Sequence, residues 1–189
     1  MNTKSIMIVG VGGQGTLLTS RILGGIARLA GLDVKVSEVH GMAQRGGSVV
    51  TYVRYGENVA EPLVEEGQAD ILIAFEQLEA LRYIHFLKKD GVLILNNQRI
   101  DPVTVITGAA EYPADIPEKL GKRRKVISID AHAVAAGLGN PRVFNTIIVG
   151  LAAKSMDFKK DDWLRVIEET VPVKMIDINI KAFELGYGI

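Results

Sequence analysis

A continuous apolar run, Ile6-Met7-Ile8-Val9, leads directly into Gly10-Val11-Gly12-Gly13-Gln14-Gly15, and apolar residues then recur at helical spacing. Few folds accept that succession. A strand with no polar side is buried on both faces, as in a mostly parallel sheet covered by helices. In a G-x-G-x-x-G turn the glycines have separate tasks: a tight reversal, backbone N–H groups open to an anion, and close packing of the next helix on the sheet. That helix spans Thr16 to Ala30, with Leu18, Ile22, Ile26 and Leu29 on one stripe and Gly31 as its stop. Its N-terminus presents unpaired N–H groups and a partial positive charge, which suit a phosphate or carboxylate. Gly10, Gly12, Gly13, Gln14 and Gly15 are therefore candidate cofactor-binding residues, against the alternative of a tight crossover that binds nothing.

The rest of the chain keeps alternating. Strands are predicted at 34–39, 48–55, 70–75 and 92–96, the last introduced by Asp90-Gly91, with shorter candidates at 104–107 and 126–130. A helix is predicted over 76–88, and further helices over 142–155, 160–170 and 174–185. Alternation of this kind predicts an α/β fold: an open, mostly parallel Rossmann-like sheet with helices on both faces and a helical C-terminal third. At roughly 150 residues per domain, 189 residues make one domain, and no repeat or linker divides it. Gly24 and Gly25 inside the first helix cost about 1 kcal/mol each relative to alanine, so close packing on the sheet is expected there.

Composition removes several functions. The chain has no cysteine, so it can hold neither a thiolate nucleophile nor a thiolate-bound iron–sulfur cluster. Lysine and arginine number 22 and aspartate and glutamate 22, a balance that lacks the positive field of a dedicated nucleic-acid binder. Apolar runs such as 146–153 fall far short of the about 18 to 20 residues needed to span a bilayer, and Ile6–Val11 leads into glycines rather than a cleavage site. A cytoplasmic protein with neither membrane nor nucleic-acid partner is expected.

A second segment is harder to explain by folding alone. His40-Gly41-Met42-Ala43-Gln44-Arg45-Gly46-Gly47-Ser48 joins two predicted strands, a task that needs about two to six turn-forming residues. It instead carries an imidazole, a carboxamide, a thioether and a guanidinium among glycines. Arg45 is suited to clamp a carboxylate or phosphate bidentately, and the glycines leave backbone N–H groups exposed. His40, Gln44 and Arg45 are the candidate catalytic residues, with Gly46, Gly47 and Ser48 as further binding residues. The alternative is an exposed flexible loop. Glu38, 23 positions after Gly15, is the one candidate for the ribose-binding acid of a dinucleotide site, although a surface-strand glutamate describes it better.

The pair GVGGQG and EVHGMAQRGGSV, the latter at 38–49, resembles the gamma-type subunit of the 2-oxoacid:ferredoxin oxidoreductases, most closely the small subunit of indolepyruvate:ferredoxin oxidoreductase. Gly139-Asn140-Pro141-Arg142-Val143-Phe144-Asn145 resembles that family's third motif, and the three occur in the family's order. The resemblance implies a single gamma-type domain over 1–189, as in the pyruvate/ketoisovalerate oxidoreductases. It also implies oxidative decarboxylation of an aryl 2-oxo acid to its acyl-CoA with reduction of ferredoxin. In such a complex a large partner subunit holds thiamine diphosphate, magnesium and the iron–sulfur clusters, while coenzyme A is co-substrate. The lack of cysteine and of a Gly-Asp-Gly segment agrees with that division, and the chain is expected to be inactive alone and to bind no such cofactor by itself. Two rivals stand beside it: a self-sufficient nicotinamide or flavin oxidoreductase, and a non-catalytic scaffold. Lys119, Lys122, Arg123, Arg124 and Lys125 form a basic cluster that reads first as a solvated turn and otherwise as a contact for coenzyme A phosphates or acidic ferredoxin. His85 and His132 have no ligand spacing around them, which argues against a metal, and Asn145 is read as a backbone cap or a partner contact.

Overall fold

The computed structural model describes residues 3–41 and 47–189. Six strands form one sheet in the order β2-β3-β1-β4-β5-β6. They are β1 (Lys4–Val11), β2 (Asp33–His40), β3 (Ser48–Gly56), β4 (Ala69–Ala74), β5 (Leu87–Asn96) and β6 (Lys125–Ile129). Pairs β1–β4, β4–β5 and β5–β6 are parallel, and β3 alone runs against its neighbours β1 and β2. The predicted α/β architecture, a mostly parallel sheet with a helical C-terminal third, is the one observed.

The apolar run of β1 is buried on both faces for the reason its sequence states. Ile6 and Ile8 point into one core layer, with Ile71, Ile73, Val92 and Ile94. Met7 and Val9 point into the other, with Leu72, Ala74, Leu93 and Leu95. The first layer is closed by α1 (Thr16–Leu29) and by helices from the last third. The second is thinner and is closed by α2 (Gln77–Tyr83) and, after the four-residue α3 (Val103–Ile106), by α4 (Ile116–Gly121). The C-terminal third holds α5 (Ala131–Gly137), α6 (Phe144–Ala153), α7 (Lys160–Thr170) and α8 (Ile176–Gly188). Every residue of α6 is buried, so its apolarity all round reflects a central position.

Several expectations need correction. Residues 104–107 belong to no strand: Val103–Ile106 is a helical turn entered from Pro102, with Val103 and Ile106 exposed and none of the four residues fully buried. The helix expected over 76–88 ends at Tyr83, and β5 begins at Leu87 rather than Val92. Asp90-Gly91 is therefore no turn but lies inside β5, where the pairing with β4 slips between Ala69 and Ile71. Leu29 is exposed, while Leu23 and Ala27 are fully buried on α1. Of the helix glycines, Gly24 faces Val34 and Val36 of the sheet as expected, but Gly25 faces α7, where a Cβ would lie 2.7 Å from Val166.

Candidate functional site at the glycine turn

The turn after β1 is held by its own glutamine. Gln14 Oε1 accepts the Val11 N–H at 2.6 Å, and Gln14 Nε2 donates to the Phe75 carbonyl at 3.1 Å and to Gln98 Oε1 at 2.8 Å. The buried carboxamide thus ties the turn to the ends of β4 and β5, and its polar atoms face inward rather than toward a ligand. Gly13 and Gly15 have φ values of 101° and 85°, the left-handed region in which a side chain is strained. Around Gly13 a Cβ would meet nothing within 4 Å, whereas at Gly15 it would lie 2.5 Å from Asn145 Nδ2. No side chain caps the N-terminus of α1.

The second motif reaches the same place by antiparallel pairing. β2 and β3 pair antiparallel, with Val11 of β1 opposite Ser48 of β3, so His40, at the close of β2, and Ser48, at the start of β3, lie at the end of the sheet that carries the glycine turn. Gly12 N–H donates to the Gly47 carbonyl at 2.9 Å and Gly41 N–H to the Ser48 carbonyl at 3.2 Å. Two motifs distant in sequence are thereby hydrogen-bonded at their backbones. His40 Nε2 lies 2.5 Å from Glu38 Oε1, and Glu38 Oε2 accepts from Thr51 Oγ1 at 2.9 Å. Ser48 Oγ donates to Glu79 Oε2 at 2.5 Å, with Tyr83 OH 3.4 Å away. Gln44, Arg45 and Gly46 lie outside the described residues.

Beneath these motifs are groups that no motif announced. Glu76, at the end of β4, accepts the Glu79 N–H, the Ile100 N–H and the Tyr112 hydroxyl, and Arg99 stands over the Tyr112 ring at 4.4 Å. Glu79 is buried between Ser48 and Arg82, whose Nε is 3.2 Å away, and burial pushes its carboxyl above the usual carboxylate range. Asn96 donates to the Phe75 carbonyl, accepts the Ala131 N–H, and lies 3.3 Å from His132 Nδ1. His132 stacks on Phe144 at 3.8 Å, and burial holds its pKa below the usual histidine value. Asn145 Oδ1 accepts the Thr146 N–H at 2.9 Å, a local backbone cap, while its Nδ2 occupies the space that a side chain at Gly15 would need. The sequence signal available for Asn96, Gln98 and Glu76 was their position at or just past the ends of buried strands; side-chain identity alone did not mark them.

The loops after β1, β4, β5 and β6 thus converge on one end of the sheet with the β2–β3 connection, the place where open α/β sheets bind ligands. The chemistry offered there is anion recognition and hydrogen bonding. Among the described residues no group of three His, Asp or Glu side chains could hold a metal ion, and no helix is long and apolar enough to cross a membrane.

Residues 5–189 match the family model described as pyruvate ferredoxin/flavodoxin oxidoreductase. The chain belongs to that family. Its similarity to the indolepyruvate oxidoreductase subunit IorB of Thermococcus kodakarensis is 43% identity, covering 98% of this chain and 95% of the relative. The subunit of the same name from Archaeoglobus fulgidus is 44% identical, over 97% of this chain and 94% of the relative. Among solved structures, the 2-oxoglutarate:ferredoxin oxidoreductase of Magnetococcus marinus, with 2-oxoglutarate, coenzyme A and succinyl-CoA bound, shares the fold at a TM-score of 0.75 and 19% identity. That match covers all of this chain but 31% of the other, so this oxidoreductase-family fold occurs there as one part of a longer polypeptide.

Proposed function

We propose that this chain is the small subunit of an indolepyruvate-type 2-oxoacid:ferredoxin oxidoreductase, working in the cytoplasm with a large partner subunit that holds thiamine diphosphate, magnesium and iron–sulfur clusters. The observation that carries this reading is likeness along nearly the whole chain to subunits named for indolepyruvate oxidoreductase. Bound in the large subunit, thiamine diphosphate would supply the carbanion-stabilising chemistry that decarboxylation of a 2-oxo acid needs. A chain without cysteine provides no thiolate for the iron–sulfur clusters.

Its contribution is to complete the site. The open space beside Gly13 and the uncapped start of α1 suit an anionic group such as the diphosphate of coenzyme A, the co-substrate. Arg45 orients an anionic group of substrate or cofactor, and Gln44, or His40 at the end of β2, donates a hydrogen bond to it. Gln14 acts from behind, fixing the turn through Val11, Phe75 and Gln98.

The test is co-purification with the large subunit, followed by ferredoxin reduction driven by indolepyruvate and coenzyme A with and without this chain. Turnover is expected only from the pair. A large subunit working at full rate alone would make this chain a scaffold. Arg45→Ala should assemble normally and lower turnover at least about a hundredfold, a loss of the size expected for a charged group at a reaction centre; unchanged turnover removes Arg45 from the site.

A further inference from the structure

At the opposite end of the sheet from the glycine turn lies a groove of about 500 Å³ with an apolar floor and a cationic rim. Leu81 and Ile84, from α2 and the 3-10 turn after it, and Leu120 of α4 form the floor, continuous with the thinner core layer. Lys119, Lys122, Arg123 and Arg124 form the rim as the chain leaves α4 for β6. Strand β6 separates this groove from the ligand-binding end by its own length, about 17 Å for five residues.

The rim's cations make no ion pair among the described residues, and neither does Lys125. Lys119 Nζ donates to the Ala114 carbonyl and Arg124 Nη1 to the Arg123 carbonyl, while Arg124 Nε is buried with no partner. In a chain of zero net charge, five cations within seven positions are a local concentration of positive potential. At the groove's edge His85 is faced by Glu66, 3.7 Å away. A solvated turn explains the charges but not the apolar floor beside them.

Resting on the reading above, we propose that this groove docks the acidic electron carrier of the ferredoxin/flavodoxin class. An apolar side chain of the carrier sits on Leu81, Ile84 and Leu120, ringed by carboxylates that meet the rim. Two considerations favour a carrier over the large subunit. Permanent interfaces are large, apolar and depleted in lysine, whereas electron-transfer encounters are small, polar and steered by charge. The groove also lies at the far end of the sheet from the motifs assigned to the shared reaction centre.

The experiment uses the reconstituted complex with Lys122→Glu and Arg123→Glu combined, both exposed positions with no side-chain hydrogen bond among the described residues. Ferredoxin and methyl viologen, a small acceptor that needs no protein docking, serve as alternative acceptors. The KM for ferredoxin is expected to rise about tenfold, with kcat, the KM for 2-oxo acid and the viologen rate unchanged. Added salt should raise the wild-type KM steeply and the variant's weakly. In parallel, binding of ferredoxin to the full isolated chain is measured by calorimetry; salt-sensitive binding lost in the variant is expected. An unchanged ferredoxin KM, a fall in the viologen rate, or no binding to the isolated chain overturns the docking. A wild-type complex that reduces neither acceptor instead overturns the proposed function, and calorimetry still decides the groove.

Discussion

At Gly15 a single methyl group is opposed by two separate effects, left-handed backbone at φ 85° and the amide of Asn145. Gly15→Ala is expected to lower stability by about 2–3 kcal/mol, and by only about 1–2 kcal/mol in an Asn145→Ala background, where backbone strain alone remains. Urea unfolding of the four-member cycle measures both terms; equal losses in the two backgrounds would show that Asn145 yields without cost. Glu79 makes a prediction of opposite flavour. Its folded pKa lies above the unfolded value near 4.5, chiefly through burial, with Ser48 and Arg82 opposing the rise. The folded state therefore binds the proton more tightly, so this group's stabilising effect is complete below about 4.5 and is lost as pH rises through the raised folded value. The difference in unfolding free energy between wild type and Glu79→Gln should shift toward wild type as pH falls from neutrality to that range, and a pH-independent difference would contradict it. Neither residue's surroundings were legible in sequence. The glycine spacing announced a turn, but Gln14 reads equally well as a ligand contact or an internal brace, and only the position of Phe75 and Gln98 decides between them.

Among the elements, those that carry their own period were readable and those defined by a distant neighbour were not. Helix α7 spans the predicted 160–170 because Trp163, Val166 and Ile167 repeat on one face over a polar back. The turn at 103–106 has no such period, and its β-branched composition pointed to the wrong element. Contacts between helices were equally silent: α6 and α8 touch backbone to backbone at Gly150 and Gly186, and a Cβ on Gly150 would press on the Phe183 carbonyl and lie 2.8 Å from Tyr187 N. Backbone cannot swing aside as a side chain can. Gly150→Ala should therefore cost about 3 kcal/mol, the upper end of the overpacking range, while Gly137→Ala, with open space around it in α5, should gain about 0.5–1 kcal/mol. Thermal and urea unfolding of the two variants should move in opposite directions; a neutral Gly150→Ala would mean that α8 slides along α6 without loss.

For the molecule as a whole, the strand order decides what the glycine turn is for. In a dinucleotide-binding sheet the second strand lies beside the first, so its terminal acid reaches the ribose of a cofactor whose diphosphate sits on the turn. Here β3 runs antiparallel between β1 and β2, and places the strand of Glu38 two positions away, about 10 Å across the sheet. The Glu38 carboxylate is moreover held by Thr51 and His40. Sequence alternation revealed a parallel α/β sheet but could not reveal this insertion, because a strand that returns as a hairpin and one that continues in parallel have the same apolar pattern. The same insertion brings Gly47 onto Gly12, so one strand both removes the ribose acid and delivers the second motif to the turn. Calorimetric titration of the chain with NADH, NADPH, FAD and FMN is accordingly expected to give no saturable heat at micromolar concentrations. Tight binding of NADH, NADPH or FAD would require the turn to hold a dinucleotide without a ribose acid, and tight binding of any of the four would favour a self-sufficient oxidoreductase.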